Sequence, residues 1–385
     1  MKVRRRHMLW LIVPCILLVS ALWVPGDTAS SSPLYTRQQR FGVGFVTDVT
    51  ENHGTVPQSL SAYNLAPFQV GWYSDWSFAA NPAYPADMAP GTLEYIQVLN
   101  VRYWPPDWDA VRNAVLLNPG ATWIIGNEPE CPNQGNLTPA QYAAIYREAY
   151  LHIKGWDDTA KVAIGGVVEP TPLRLRWLER AMESYQQQFG EPLEVDVWTI
   201  HMQILIEGVE GNPKAGAGVP VGLDPQAEGI LPREYSLADC ANVEIFKTLV
   251  TDFREWMKRQ GQQNKPLIIS EMGVLQPSIF LVEGGSEQER QERGDQKIEQ
   301  FMVQVFDWLL EAKSAEIGCP QDENRLVQRW LWFSLNGSFW DEATNPQGFN
   351  GSLYDYRTKT LTRFGRRFIA YQQQTKRLGI PIVLK

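Results

Sequence analysis

The chain has 385 residues, 44% hydrophobic and 20% charged, the composition of a folded globular protein rather than a disordered one. Its net charge of −8 leaves no basic excess to neutralise phosphates, so nucleic acid is not an expected partner. With 4 His and 4 Cys at no metal-ligand spacing, and no H-E-x-x-H, C-x₂-C, P-loop or G-x-S-x-G motif, neither a metal nor a cofactor is expected.

Lys2, Arg4, Arg5 and Arg6 precede an uncharged apolar run from Met8 to Val24. A basic segment followed by an apolar one is the pattern of a secretory signal. Residues 1–26 are therefore expected to be a cleaved signal or, if retained, a membrane tether through residues 8–24. Either way the rest of the chain is placed outside the cytoplasm. Residues 27–39 are polar and Ser-rich, as a linker would be. Residues 40–385 then form one domain, expected to be monomeric.

Beyond Arg40, short β-branched or aromatic runs alternate with amphipathic helical stretches, the order that builds parallel strands with crossover helices. The predicted strands are Phe41–Val46, Phe68–Trp72, Tyr95–Val101, Thr122–Gly126, Lys161–Gly165, Val195–His201, Leu267–Ser270 and Arg329–Ser334. The clearest predicted helices are Pro139–Lys154, Leu173–Phe189, Val243–Gly261 and Gln291–Ala312. Eight such strands suit a closed (β/α)₈ barrel of the TIM type better than an open sheet. The lone pair Gly42 and Gly44 lacks the third glycine of a dinucleotide loop. Two long connections, Ile204 to Asp239 and Leu275 to Arg290, follow the sixth and seventh strands and so fall on the rim where barrel enzymes work.

In a parallel barrel a functional side chain belongs at the C-terminal end of its strand. The fourth strand runs into Asn127-Glu128-Pro129-Glu130 and the seventh into Glu271-Met272-Gly273. Strands four and seven face one another across a barrel mouth. Two carboxyl groups held about 5 to 5.5 Å apart are what a retaining glycosidase needs: one protonates the departing oxygen while the other attacks the anomeric carbon. Glu169, after the fifth strand, is a third candidate carboxylate. Paired with Glu128 across a wider gap it would instead suit an inverting mechanism. His201 ends the sixth strand and is expected to bind substrate, the alternative being a structural histidine satisfied within the fold. Trp72 and Tyr73 point to opposite sides of their strand, and Tyr73 and Trp76 are expected on the rim, where aromatic rings can stack on sugars.

The spellings Gly126-Asn127-Glu128-Pro129 and Ser270-Glu271 resemble clan A glycoside hydrolases. Gly71-Trp72-Tyr73-Ser74-Asp75-Trp76 and Val195-Asp196-Val197-Trp198-Thr199-Ile200-His201 are similar to the second and sixth strands of family 128 β-1,3-glucanase-like barrels. The resemblance implies Glu128 as acid/base, Glu271 as nucleophile, Asn127 on the sugar 2-hydroxyl, and Trp332 as a sugar platform. One departure stands out. The family places a tyrosine two residues after the sixth-strand histidine, where this chain has Gln203. An amide can donate a hydrogen bond there but cannot act as a phenol. By resemblance, the first substrate to test is β-1,3-glucan. The rival reading is a non-catalytic carbohydrate-binding or cell-envelope protein on a glycosidase-like barrel. A transglycosylase would share the covalent intermediate and differ only in its acceptor.

After export, Cys131 beside the acid/base and Cys240 at the end of the sixth connection would share the catalytic rim, with Cys319 on the opposite face. A bridge needs Cα atoms within about 7 Å, so Cys131 with Cys240 is the expected disulfide.

Overall fold

A computed structural model of the protein describes residues 33–51, 54–205, 223, 225–231, 233, 235–345 and 348–377. The expected signal or anchor, residues 1–26, and most of the connection after the sixth strand lie outside them. Among the described residues no helix is long and apolar enough to cross a membrane.

Eight parallel strands close on one another. They are β1 (Phe41–Gly44), β2 (Trp72–Ser74), β3 (Glu94–Tyr95 continuing as Gln97–Leu99), β4 (Thr122–Asn127), β5 (Lys161–Gly166), β6 (Trp198–Met202), β7 (Leu267–Met272) and β8 (Arg329–Trp332). The first half of β3 pairs with β2 and the second half with β4, so this strand joins the two parts of the sheet. Strand β4 pairs with β5, β6 with β7, β7 with β8, and β8 with β1, which pairs in turn with β2. Parallel bridges from Ala163 to Val197 and from Val167 to Ile200 complete the ring between β5 and β6. The architecture is the (β/α)₈ barrel expected from the alternation.

Crossover helices follow strands three to eight: α1 (Trp108–Leu117), α2 (Pro139–Trp156), α3 (Pro172–Phe189), α4 (Val243–Arg259), α5 (Glu287–Glu311) and α6 (Arg363–Arg377). Their starts are written in the sequence. Thr138 and Ser286 form capping boxes with Gln141 and Glu289, and Asp107 accepts from the amides of Asp109 and Ala110. The Ser286 cap starts α5 four residues before the expected Gln291 and shortens the seventh connection. After β1 the chain returns through a hairpin (Asp48–Glu51 with Gly54–Pro57) and short 3₁₀ turns, and after β2 through turns and bends, with no α-helix among the described residues of either connection.

Two apolar layers follow from the period of two along each strand. Ile96, Val98, Ile124, Ala163, Val197, Ile268, Leu331 and the indole of Trp72 fill the barrel interior. Their neighbours Trp123, Ile125, Ile200, Ile269, Trp330 and Trp332 face the helices. Gly42 is required by this packing, because a Cβ there would lie 2.4 Å from the Trp72 ring. That accounts for a glycine pair with no role in nucleotide binding.

Two expectations are corrected here. The second strand was expected over Phe68–Trp72 but spans Trp72–Ser74. Ala66–Phe68 is a 3₁₀ turn with Pro67 in it, and Gln69 is left-handed at φ 49°, so extended backbone begins only afterwards. Of the expected linker 27–39, residues 27–32 lie outside the described residues, and the rest is tied to the barrel near both ends. Leu34 donates to Asp322, and buried Arg40 makes a two-pronged pair with the same carboxylate at 2.8 Å, so the chain is already packed on the barrel floor.

Candidate active site

The C-terminal ends of the strands surround a cleft of about 650 Å³ that contains Trp76, Asn127, Glu128, Gln203 and Glu271. Each reaches it by a local device.

Along β6 the inward row is Val197, Thr199, His201 and then Gln203, which simple alternation delivers. Gly166 on β5 makes room for His201, since a Cβ there would stand 2.8 Å from the imidazole. Glu271 depends on a break in alternation. Ile268 faces inward and Ile269 outward, so an unbroken strand would turn residue 271 toward the helices. The pairing with β6 slips between Ile269 and Glu271, a β-bulge that re-aims the carboxylate into the mouth while Met272 joins the outer core. Glu128 is held differently. Its backbone is left-handed at φ 43°, its amide donates to Gly166 O at 3.0 Å, and its carbonyl accepts from the amides of Cys131 and Gly135. The loop beyond it is anchored by Glu130, buried, which accepts from the Val168 amide at 2.8 Å and from Arg174 at 2.9 Å. Burial pushes the Glu130 carboxyl up, with the Arg174 charge opposing it.

The two acids present oxygens within 4.8 Å of one another, with His201 between them. His201 Nδ1 lies 2.9 Å from Glu128 Oε1, and Nε2 lies 3.7 Å from Glu271 Oε1. Glu271 also receives two donors: Trp76 Nε1 on Oε1 at 2.5 Å and Gln203 Nε2 on Oε2 at 2.9 Å. Trp76 can reach in because residue 44 is glycine; a Cβ there would meet its ring at 2.6 Å. Glu271 is the more buried acid, its side chain 8% exposed against 15% for Glu128. That burial raises its pKa above the ordinary carboxylate range, against the lowering influence of the His201 charge and the two donors, while Glu128 nearby adds to the rise. For His201 burial alone would lower the pKa, but the Glu271 charge and the bond to Glu128 outweigh it and lift the imidazole to about 9. Glu128, His201 and Glu271 are also the one group among the described residues spaced to receive a cation.

Several expected site residues lie elsewhere. Tyr73 is 1% exposed, stacks near Tyr95 at 4.9 Å and donates to Ala83 O. Trp72 takes the inward position, so Tyr73 faces the helices. Trp332 is buried too, its Nε1 bonded to Gly351 O at 2.8 Å and its ring against Phe306. Leu331 points into the barrel, so the next inward position belongs to Phe333, which lines the cleft in place of Trp332. Glu169 is buried and does not line the cleft. The Cys131–Cys240 disulfide is not formed. Cys240 is a free buried thiol with its Sγ 3.9 Å from Ser236 O of its own turn, in the field of Glu169, whereas Cys131 lies in the field of Glu128 and Glu130.

The sequence reading missed an aromatic wall on the loops after β7 and β8. Phe280 and Trp340 meet edge to face at 5.5 Å, Phe333 and Phe349 at 5.6 Å, and all four line the cleft. The other end, past Glu128, carries the amides of Asn100, Asn133 and Gln134.

No family model matches the sequence, and no curated protein matches it. Solved structures do match. A GH128 (subgroup II) endo-β-1,3-glucanase from Pseudomonas viridiflava aligns with 86% of this chain and 97% of its own, at a TM-score of 0.50 and 16% identity. A GH128 (subgroup I) endo-β-1,3-glucanase from Amycolatopsis mediterranei in complex with laminaritriose covers 86% and 99%, also at 0.50 and 16%. A glucosidase from Croceicoccus marinus covers 89% and 69%, at 0.50 and 13%. At these identities the likeness is one of fold.

Proposed function

We propose that this protein is an exported retaining glycoside hydrolase that cleaves β-linked glucan, with β-1,3-glucan as its substrate. The observation that carries the reading is the pair of carboxylates at the ends of β4 and β7, with oxygens within 4.8 Å of one another and one of the two locked by donors. That spacing suits direct attack and leaves little room for a water between acid and sugar, as inversion requires. The substrate is taken from the fold's β-1,3-glucanase neighbours, and export from the basic and apolar segment within residues 1–26.

Glu271 attacks the anomeric carbon as Glu128 hands its proton to the glycosidic oxygen, so the C–O bond breaks and a glycosyl ester forms. Water then attacks the anomeric carbon of this glycosyl ester, gives its proton to Glu128, and Glu271 leaves as carboxylate. Trp76 and Gln203 stabilise Glu271 whenever it is charged. Glu128, nearer solvent, can exchange its proton between steps. In-line attack sends the leaving group away from Glu271 toward Glu128. This assigns the amide-lined end to the leaving group and the aromatic wall to the retained sugars, whose apolar faces stack on rings.

The test is a panel of β-1,3-, β-1,4- and mixed-linkage glucans with NMR of the first-formed product. β-1,3-Glucan should be cut with the β-anomer appearing first. Initial α-anomer would reject retention, and no cleavage across the panel would reject the enzyme.

The pH dependence follows from burial. Glu271 must be ionised to attack, and its pKa is raised, so kcat/KM should fall on the acid side at a pH above the ordinary carboxylate value of about 4.3. The His201 charge holds Glu271 down, so His201→Gln should move the acid limb to still higher pH. A pH–rate profile in which the limb stays put, or moves down, contradicts the arrangement.

A further inference from the structure

Gln203 is 2% exposed, at the top of the inward row of β6, and its two amide atoms have unequal surroundings. Nε2 donates to Glu271 Oε2. Oε1 is buried and accepts no hydrogen bond among the described residues. Turning the amide over would not relieve this, because it would set Oε1 against a carboxylate oxygen, acceptor to acceptor, and remove a donor from Glu271. Buried carbonyl groups are rarely left without a donor. Gln203 lines the cleft, so whatever fills the cleft can supply one.

The geometry points to Gln203 Oε1 as the acceptor for a hydroxyl of the sugar ring seated on Glu271, so that one side chain both holds the nucleophile and reads the substrate. This rests on the glycosidase reading above. A carboxylate oxygen separates Gln203 from the reacting carbon, so the donor must lie close to C1. On a hexopyranose the neighbours of C1 are C2, which bears a hydroxyl, and the ring oxygen, which has no proton. Past the ring oxygen the nearest donor is the C6 hydroxyl. The shared chemistry is a sugar O–H, from position 2 or position 6. A tyrosine in this place would do both jobs with a single oxygen; the amide separates them and leaves the carbonyl for the sugar alone.

The test is a double-mutant cycle between residue and substrate. kcat/KM is measured for the parent and Gln203→Met on dinitrophenyl β-laminaribioside, and on its analogues lacking the 2- or the 6-hydroxyl of the ring that carries the leaving group. The cycle cancels the intrinsic effect of each deoxygenation on reactivity. For one analogue, the parent should lose at least about tenfold more than the variant does, the size of one buried hydrogen bond. The analogue that shows it identifies the hydroxyl. Agreement within about twofold for both analogues overturns the inference and leaves the hydrolase standing. A parent inactive on the unmodified substrate overturns the β-1,3-glucanase reading and this inference with it. Should Gln203→Met not fold, Gln203→Leu, which likewise offers no acceptor, carries the same comparison.

Discussion

Glu271→Gln should lower kcat by on the order of 10⁵-fold or more, the scale on which covalent enzymes lose turnover when the nucleophile is removed. The substitution is close to isosteric, and Trp76 can still donate to the remaining amide oxygen, so the loss belongs to chemistry rather than to folding. Stability gives an independent check. A buried acid whose pKa is raised on folding destabilises the folded state at pH values where it must carry charge, and this cost disappears on the acid side, where it holds its proton. The amide carries no such charge. At pH 8 the variant should therefore melt at or above the temperature of the parent, with oligosaccharide binding kept. Residual turnover within about 100-fold of the parent would remove Glu271 from the role of nucleophile.

Glu128→Gln should show a loss that depends on the leaving group. On glucan, whose departing alcohol needs a proton, kcat should fall by roughly 10²- to 10⁴-fold, the usual reach of general acid–base catalysis. A dinitrophenolate leaves without help, so ester formation on an aryl substrate should be nearly unchanged. Hydrolysis of the ester still lacks its base, and the intermediate accumulates. The expected signature is a burst of dinitrophenolate close to one equivalent per enzyme, followed by slow turnover. Equal losses on both substrates, with no burst, would mean that Glu128 positions sugar but transfers no proton.

Much of this was legible before any coordinates. Parallel strands alternating with helices implied the barrel, and apolar runs ending in Glu128 and Glu271 marked its working face. The errors have physical causes. Tyr73 was placed in the cleft because aromatics near strand ends suit sugars, and Trp332 because it resembles the clan's platform tryptophan. Their inward neighbours, Trp72 and Leu331, settle the facing, and period two then sends Tyr73 and Trp332 outward. Cys131 and Cys240 share a rim, but sequence order does not give the angle between two loops around it. Phe280, Trp340 and Phe349 sit on irregular loops, where no periodicity reports which way a ring points. Glu130 was overshadowed by the acid two residues before it; its proline-flanked place beside a strand end gave no hint of the Arg174 pair.

The slip in β7 separates two demands that a strand normally meets together. Residues up to Ile269 obey the beat that seals the barrel wall, and Met272 takes it up again, so the acid occupies a syncopation between them. Pairing every residue here without the slip would restore an even rhythm and turn the carboxylate toward the helices. The wall would still close, but the proposed nucleophile would lie outside the cleft. Closure of the barrel and placement of the acid are thus separate properties of this strand.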